Sequence, residues 1–416
     1  MLKLNEPTQG RKGKTRGRKA KASVQPRTLD YEKLILRAGK LKPKFLNLGL
    51  LLPVLAVSIF GVLMVYSASW YNAEVYHGNR FYFFTSQLIG LIVGCLALTL
   101  TYHLDYRIYK KRAWLILGVA FVLLLLVFLP GLGVERLGAR RWIGFGGFTI
   151  QPSELAKFGF IIFASSVASG TCKNSVLTPE TRHQLTLKKF MLILVAGGTL
   201  CGLILLQPNL SIVLTLGATM MVCLFLFGAK WKHLAILMLP ILIIVPIMLV
   251  AEPYRIARLV AFVDPWATPR AEGFQLIQSL FSLGNGGLFG RGFLNSTQKY
   301  MFLPFSESDF IFSIIGEEFG LVGAGVFLFV LGLIVYKIFR VGMRSNDSFG
   351  RYVCFGIASL IFIQSAINIA VVTGSIPPTG LPLPFVSFGG TSLAVFMAGI
   401  GIVLNVDKHN KRQALQ

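Results

Sequence analysis

One stretch decides how this chain is organised: EPYRIARLVAFVDPWATPRAEGFQLIQSLFSLGNGGLFGRGFLNSTQKYMFLPFSES, residues 252–308. It is rich in glycine, proline, arginine and polar side chains, whereas the sequence on both sides is strongly apolar. A long loop between two regular elements is uncommon and generally carries function. The chain becomes apolar again in DFIFSIIGEEFGLVGAGVFLFVLGLIVYKIF, residues 309–339. The acid at the start of that run makes Asp309 the first candidate for a functional residue.

The composition identifies the class of protein. Of the 416 residues, 54% are hydrophobic and only 14% are charged, whereas soluble domains carry roughly 25% charged residues. We therefore predict a polytopic membrane protein. A membrane span must satisfy its own backbone hydrogen bonds, so the spans are expected to be helices and the fold all-α.

About ten apolar runs are long enough to cross a bilayer, for which a helix needs about 20 apolar residues. The long extracytoplasmic loop then lies between spans seven and eight. The runs are 46–69, 82–102, 113–130, 151–170, 190–206, 209–228, 231–251, 309–338, 351–373 and 385–405.

The distribution of lysine and arginine predicts the orientation. The N-terminal tail and every even-numbered connection are basic, so the positive-inside rule puts both termini in the cytoplasm. The loops at 70–81, 131–150, 252–308 and 374–384 are then extracytoplasmic. We expect a disordered cytoplasmic tail over 1–44, a transmembrane domain over 45–406 and a short cytoplasmic tail over 407–416.

The formal net charge of +24 is partly concentrated in that first tail, which contains RKGKTRGRKAKAS. Such a segment can bind anionic lipid or nucleic acid. We favour lipid and expect no nucleic-acid partner, because a chain fixed in a bilayer already holds its tail at the headgroups. The five cysteines and five histidines form no metal-ligand spacing, and no disulfide framework is indicated.

Several cations fall on the predicted outer side, against the charge rule. Arg140, Arg141 and Trp142 stand together in the third connection. Guanidinium groups suit phosphate oxygens, and a tryptophan suits a sugar face or the membrane interface. An anionic ligand would explain this placement, but long loops also cross membranes regardless of their charge.

Span four opens with QPSELAK, residues 151–157. Pro152 suits the first turn of a helix. Glu154 and Lys157 are three residues apart, so they share a face and can pair. Charges near a bilayer usually face a bundle interior or a water-filled cavity. The pair is therefore either part of a site or a lock between helices.

Two interpretations compete at Asp309. Ser306 and Asp309 have the spacing of a capping box, with Ser306 as N-cap. Alternatively Asp309 is a general base, with a pKa lowered by the helix N-terminus and raised by partial burial. Glu317 and Glu318 lie deeper in the same run, and burial there implies partners or a cavity. The sequence does not show which of them faces inward.

Two other outer segments have recognisable local patterns. Residues 272–288 have the spacing of a short amphipathic helix on the membrane surface, ending at a flexible Gly284–Gly287 stretch. Asp264 to Trp266 resembles a turn with an interfacial aromatic. The proline-rich 374–384 loop leads into Ser387 and a run of small residues that allow close helix packing.

Several motifs together resemble the SEDS family (shape, elongation, division, sporulation), over roughly residues 45–405. The Gln298–Lys299 pair and the IGEE run favour the division branch over the elongation branch. The motifs are QPSELAK (151–157), AEPYRIARLVAFVDPW (251–266), GFQLIQSLFSLGNGGLFGRG (273–292), SDFIFSIIGEE (308–318) and PLPFVSFGGTS (382–392).

The resemblance implies a ten-span peptidoglycan glycosyltransferase that polymerises lipid II outside the cytoplasmic membrane during septal wall synthesis. It implies a class B penicillin-binding protein transpeptidase and other division proteins as partners. The family's essential aspartate maps onto Asp309. Two departures stand out: Asn209 replaces an acid, and residues 305–308, FSES, place no histidine near Asp309.

In the mechanism that this resemblance implies, an acceptor 4-hydroxyl attacks the donor's anomeric carbon and Asp309 takes the proton. A divalent cation could share the stabilisation of the diphosphate, although no ligand cluster marks a site for one. A lipid II flippase and a non-catalytic division scaffold remain as alternatives. The residues assigned to the substrate are Arg140, Arg141, Trp142, Glu154, Lys157, Lys299 and Ser387.

Overall fold

The computed structural model describes residues 46–136, 138–145, 148–170, 185–237 and 253–414. The predicted disordered tail over 1–44 lies outside these residues, and so do residues 238–251 of the predicted seventh span. The helices are α1 (Leu48–His77), α2 (Tyr82–His103), α3 (Tyr106–Lys111), α4 (Ala113–Leu126), α5 (Pro152–Ser169), α6 (Leu187–Leu206), α7 (Leu210–Leu226), α8 (Pro253–Val263), α9 (Phe274–Gly286), α10 (Ile311–Met343), α11 (Ser348–Val372) and α12 (Gly390–Gln413).

The helices confirm the prediction of an all-α polytopic membrane protein. Six of them are long and apolar enough to cross a bilayer, namely α1, α2, α6, α10, α11 and α12, and α4 and α7 are shorter apolar helices. Nine of the predicted runs coincide with helices, including α5. The seventh run is helical over 231–237, where its described part ends. The last helix continues to Gln413, so residues 407–413 extend α12.

Side chains and special backbone positions set several helix ends. Asn47 begins α1 by accepting a hydrogen bond from the Leu50 amide, and Asp347 begins α11 by accepting one from the Gly350 amide. Such caps satisfy amides that have no partner within the helix. Pro152 occupies the first turn of α5, as predicted. Gly78 ends α1 at φ 64°, a conformation that favours glycine.

Small residues let α2 and α12 approach closely. A Cβ added at Gly90 would lie 2.7 Å from the Gly390 Cα, and one at Gly401 would lie 2.4 Å from the Leu98 carbonyl oxygen. The Thr101 hydroxyl crosses the same interface to the Ala398 carbonyl at 2.9 Å. Close backbone approach of this kind drives association where lipid removes the hydrophobic effect between helices.

The third connection is not the irregular loop that the sequence suggested. It forms a three-stranded antiparallel sheet in the order β1 (Gly133–Arg136), β2 (Ala139–Phe145) and β3 (Phe148–Ile150). Ile143 on the central strand pairs with Gly133 on one side and Ile150 on the other. The sheet therefore fixes the backbone of β2, on which the candidate cations of this connection stand.

The long loop over 252–308 is partly helical. It contains α8, a short 3₁₀ helix (Pro265–Ala267) and α9. The predicted turn at Asp264 is confirmed, because its carboxylate accepts from the amides of Trp266 and Ala267. The predicted amphipathic helix corresponds to α9, but one face of α9 packs against protein: the Ser279 hydroxyl contacts the Ser313 hydroxyl at 2.7 Å.

The Gly284–Gly287 stretch, predicted as a flexible stop, forms the last turn and the C-cap of α9, and together with Gly290 it packs as a tight junction. A Cβ at Gly286 would lie 2.0 Å from the Gly316 carbonyl oxygen, and one at Gly290 would lie 2.2 Å from that of Glu318. The helix α10 is kinked opposite this stretch, where Gly320 has φ 67° and ψ −170°. Glycine is required on both sides because neither backbone leaves room for a side chain.

Candidate active site

Asp309 lies in a turn that precedes α10. The amides of Ser308 and Phe310 both donate to the Phe305 carbonyl, at 3.1 and 3.3 Å. Phe305 has φ 56°, in the left-handed region. We call residues 305–310 the acidic turn. It brings the carboxyl group to the N-terminal end of the helix without making it part of that helix.

The predicted capping box is wrong. The helix begins at Ile311 with Phe310 as its N-cap, and no side chain caps it. The Ser306 hydroxyl instead donates to the Ala68 carbonyl of α1 at 3.1 Å. The left-handed Phe305 turns the chain away from helical geometry, so Ser306 does not reach the first amides of α10. Asp309 therefore has no capping role.

A second segment, residues 379–388, runs beside the acidic turn, and we call it the strap. Ser387, predicted to bind substrate, joins the two: its hydroxyl donates to the Ser308 carbonyl at 2.6 Å and accepts from the Leu383 amide at 2.7 Å. The Phe388 amide donates to the Glu307 carbonyl at 2.9 Å. These bonds fix the strap against the backbone that carries Asp309.

The strap approaches the Asp309 carboxylate itself at Gly380. A Cβ added there would lie 3.2 Å from Asp309 Oδ2, and Gly380 has φ 74°. On the other side of the turn, the Asn368 side-chain amide of α11 donates to the Asp309 carbonyl at 2.8 Å. The backbone of Asp309 is thus held, while its carboxylate faces a glycine at a partly exposed position.

The surroundings of Asp309 raise its pKa. Burial has the largest effect, the charge of Glu307 adds to it, and the more distant charges of Arg258 and Arg141 and a hydrogen bond from Ser308 oppose it; together they raise the pKa from 3.8 to about 6. Burial also raises the pKa of Glu307. A carboxyl with a pKa near the operating pH is suited to general-base chemistry.

The predicted outer cations Arg140 and Arg141 stand on β2. Arg140 is about half exposed and pairs with Glu135, with Nε 3.2 Å from Oε2. It lines a cleft of about 260 Å³ together with Glu135 and Gln207. Arg141 donates through Nε to the Gln207 carbonyl at 3.3 Å and through Nη2 to that of Pro208. Trp142 beside them is partly exposed.

Glu154 and Lys157 pair as predicted, but inside the protein. Both side chains are fully buried, and Lys157 Nζ lies 2.8 Å from Glu154 Oε1. The same ammonium donates to Gln364 Oε1 at 2.6 Å, and the other Glu154 oxygen accepts from the Ser392 hydroxyl at 3.0 Å. The pair therefore joins α5, α11 and α12. Binding of a diphosphate by Lys157 would require it to exchange these partners.

Lys299 is also fully buried. Its ammonium lies 3.4 Å from Glu318 Oε1 and donates to the Leu294 carbonyl. The rings of Trp70 and Tyr300 lie 5.9 Å from it, within the range of a cation–π interaction. A direct contact with substrate at Lys299 would likewise require these contacts to open.

Glu317 and Glu318 both face inward. Glu317 accepts from the Ser296 hydroxyl at 2.6 Å and from the Thr297 hydroxyl and amide at 2.8 and 3.0 Å. Glu318 accepts from the Ser67 hydroxyl of α1 at 2.5 Å. The two acids thus bind the end of the long loop to the kinked part of α10. Among the described residues, no group of three His, Cys, Asp or Glu side chains could hold a metal ion.

Two polar residues near the site were not predicted from the sequence. Gln364 and Asn368 are one helical turn apart in the otherwise apolar α11. Both donate to the strap, Gln364 to the Pro382 carbonyl at 2.8 Å and Asn368 to the Leu381 carbonyl at 2.6 Å. Polar side chains at spacing i, i+4 inside a membrane span were the signal that could have identified them.

Comparisons with known proteins agree with this architecture. Among curated proteins, the probable peptidoglycan glycosyltransferase FtsW of Geobacter metallireducens is 39% identical over 368 residues, which cover 88% of this chain and 95% of the relative. The stage V sporulation protein E of Bacillus subtilis is 37% identical over 365 residues, covering 88% and 98%. The relatives named FtsW agree with the resemblance to the division branch.

Two solved structures have the same fold. A chain from work described as "Structural coordination of polymerization and crosslinking by a peptidoglycan synthase complex" superposes with a TM-score of 0.70 at 28% identity, covering 88% of this chain and 98% of that one. The rod shape determining protein RodA of Thermus thermophilus gives 0.61 at 26% identity, covering 88% and 97%. A sequence profile described as "Cell cycle protein" matches residues 48–412. The chain belongs to the FtsW/RodA/SpoVE family of cell cycle proteins.

Proposed function

We propose that this protein is a peptidoglycan glycosyltransferase that polymerises lipid II into glycan strands at the outer face of the cytoplasmic membrane. One observation carries the proposal: Asp309 is a partly exposed residue whose backbone is held by α11 and whose turn is tied to the strap, and burial raises the pKa of its carboxyl group to about 6. A fixed carboxylate with this pKa is equipped to accept a proton. The names of the relatives supply the class of reaction.

In the proposed reaction, the 4-hydroxyl oxygen of the acceptor sugar attacks the anomeric carbon of the donor. The bond from that carbon to the lipid diphosphate breaks, and the diphosphate leaves with the bonding electrons. The hydroxyl proton passes to the Asp309 carboxylate. General-base assistance of this kind contributes roughly 10²–10⁴-fold to the rate.

The cations of β2 would receive the leaving diphosphate. Arg140 lines an outer cleft and forms an ion pair with the exposed Glu135, so exchanging that partner for phosphate oxygens costs little. Arg141 lies on the same strand, and its charge acts on Asp309. Stabilising negative charge on the leaving group is usually the largest electrostatic contribution in such sites. Lys157 and Lys299, by contrast, are committed to buried partners.

We also propose the setting in which the reaction occurs. Both termini are cytoplasmic, the acidic turn and the strap face outward, and the protein acts at the division septum. A class B penicillin-binding protein would cross-link the new strands, and the relative described as part of a peptidoglycan synthase complex supports a partner of that kind.

Cysteine labelling tests the orientation. Asn295 lies in the long loop and is exposed, whereas its neighbour Ser296 is buried against Glu317. With the five native cysteines replaced, Asn295→Cys should react in intact cells with a reagent that does not cross membranes. Labelling that requires broken cells would reverse the proposed orientation.

A reconstituted assay tests the activity. Purified protein with its transpeptidase partner and labelled lipid II should produce glycan strands, and Asp309→Asn should lose this product while still co-purifying with the partner. Movement of lipid II between leaflets without polymer would support the flippase. Absence of both polymer and lipid II movement with the wild-type protein would leave the scaffold interpretation, and a fully active Asp309→Asn would show that Asp309 is not the base.

A further inference from the structure

Asn368 joins the two segments that meet at the candidate base. Its side chain lies on α11 and is 1% exposed. The Nδ2 atom donates to the Asp309 carbonyl at 2.8 Å and to the Leu381 carbonyl at 2.6 Å. One carbonyl belongs to the acidic turn and the other to the strap, so a single amide group links Asp309 to the strap at Leu381.

The orientation of this amide is determined by its neighbours. Both groups that it meets are carbonyl oxygens, which only accept hydrogen bonds, so the nitrogen must face them. The Oδ1 atom is buried, and none of the described residues gives it a hydrogen bond. Leaving a buried oxygen unpaired reduces stability. The Asn368 side chain therefore adds little to the stability of the fold. Its two donated hydrogen bonds instead connect the acidic turn to the strap.

The bridge acts where the strap is closest to the carboxylate. Leu381 follows Gly380, whose missing Cβ would lie 3.2 Å from Asp309 Oδ2. One turn earlier on α11, Gln364 holds the next strap carbonyl, that of Pro382, at 2.8 Å. The polar edge of α11 thus holds the strap at two successive carbonyls, and only Asn368 also reaches the acidic turn.

We propose that Asn368 is a positioning residue that fixes the Asp309 carboxylate relative to the strap, so that an acceptor hydroxyl can be deprotonated between them. The inference rests on the proposed role of Asp309 as general base. Without this bridge the Gly380–Leu381 part of the strap can move away from Asp309, although Ser387 and Phe388 still tie the other end of the strap to the turn. A misplacement of about 1 Å is enough to lower a rate by about 10²-fold.

A matched control exists at the other end of the bundle. Asn405 on α12 is also 1% exposed, donates to the Tyr102 carbonyl at 2.7 Å and accepts from the Tyr106 amide at 3.0 Å. Asn405→Ala therefore removes two buried hydrogen bonds, as Asn368→Ala does, at a place remote from the acidic turn. Because Asn368 already leaves one buried oxygen unpaired, Asn368→Ala should lose no more melting temperature than Asn405→Ala.

The turnover of lipid II distinguishes them. Asn368→Ala should lower kcat by about 10- to 100-fold with KM close to wild type, whereas Asn405→Ala should stay within about threefold in kcat. Asn368→Leu, which retains most of the side-chain volume but has no donor, should resemble Asn368→Ala. Asn368→Gln, which keeps the amide, should recover part of the rate.

The pH–rate profile supplies a readout that a purely structural residue would not change. The charged groups acting on Asp309 are Glu307 in the same turn, Arg258 on α8 and Arg141 on β2. When the bridge is lost and water enters, the acidic limb of kcat should move below its wild-type position, toward the ordinary carboxyl value.

The outcomes separate this inference from the proposed function. If Asp309→Asn is inactive while Asn368→Ala and Asn368→Leu keep wild-type kcat and an unchanged acidic limb, the positioning role is wrong and the base remains. If Asp309→Asn is itself active, Asp309 is not the general base, and the part of the proposed mechanism on which this inference rests fails. If Asn368→Ala does not fold, Asn368→Leu and Asn368→Gln decide: equal rates for these two would overturn the inference.

Discussion

Two acidic residues, Asp309 and Glu317, lie only eight residues apart but differ in burial and in the hydrogen bonds that they accept. Glu317 is fully buried and accepts hydrogen bonds from Ser296, Thr297 and Ser282. Asp309 is partly exposed, is held through its backbone, and its pKa is raised to about 6. A buried carboxylate with many donors stabilises the structure, whereas a fixed carboxylate with few donors keeps its capacity to take a proton.

Removing the well-bonded acid should have the largest effect on stability. Glu317→Ala leaves several buried donors of the long loop without an acceptor, and breaking such a cluster costs about 3–5 kcal/mol. The melting temperature of the purified protein should fall strongly. Glu135→Ala serves as the control, because Glu135 is exposed. Equal melting of Glu317→Ala and wild type would show that the cluster does not hold the loop.

The kink in α10 offers the next largest effect. At Gly320 the backbone adopts a conformation open only to glycine, and a Cβ would lie 2.3 Å from the Gly290 amide nitrogen. Gly320→Ala should lose at least about 1–3 kcal/mol from backbone strain. Gly325 on the same helix has nothing within 4 Å of an added Cβ, so Gly325→Ala should melt at or above wild type. Similar melting temperatures of the two variants would show that the backbone junction at Gly320 does not require glycine.

The raised pKa of Asp309 predicts a pH dependence of the rate. A general base must be deprotonated, so kcat should fall as the pH is lowered through about 6. Arg258 lowers this pKa, so Arg258→Ala should move the acidic limb to higher pH. Arg344→Ala, at the opposite end of the 33-residue α10, should leave the limb in place. An acidic limb of the kcat–pH profile at the ordinary carboxyl pKa would argue against burial of Asp309.

The smallest effect is expected at the outer cation. Arg140→Ala removes only an exposed ion pair with Glu135, and such pairs contribute about 0–1 kcal/mol. The melting temperature should therefore stay near wild type while the use of lipid II weakens, measured as kcat/KM. The exposed Arg80, which pairs with Glu74 at 3.7 Å, provides a control in Arg80→Ala. A loss of activity matched by a loss of melting temperature would assign Arg140 to folding.

The membrane-spanning helices and the candidate base Asp309 could be predicted from the sequence alone. Runs of about 20 apolar residues leave helices as the only outcome in lipid. Asp309 stood out because it begins such a run. The capping box failed because the spacing of Ser306 and Asp309 says nothing about the left-handed backbone at Phe305 that precedes them.

Other features depend on contacts between distant segments, which spacing does not reveal. Strands of 4, 7 and 3 residues are too short to show a periodicity, so the sheet in the third connection was missed. The pairing of Glu154 with Lys157 was visible at i, i+3, but the burial of Lys157 against Gln364 depends on how α5 meets α11. The role of Asn368 is apparent only once the two carbonyls it joins are in place.

The most direct test measures two properties of two variants, Asp309→Asn and Glu317→Gln, at pH 7. Asp309→Asn should lower the rate of glycan-strand formation by about 10²–10⁴-fold. Its melting temperature should equal or exceed wild type, because the raised pKa means that the charged carboxylate costs stability above about pH 6. Glu317→Gln should melt below wild type and polymerise at a far higher rate than Asp309→Asn. An Asp309→Asn protein that polymerises near the wild-type rate, or that melts below Glu317→Gln, would contradict the division between a reactive and a structural acid.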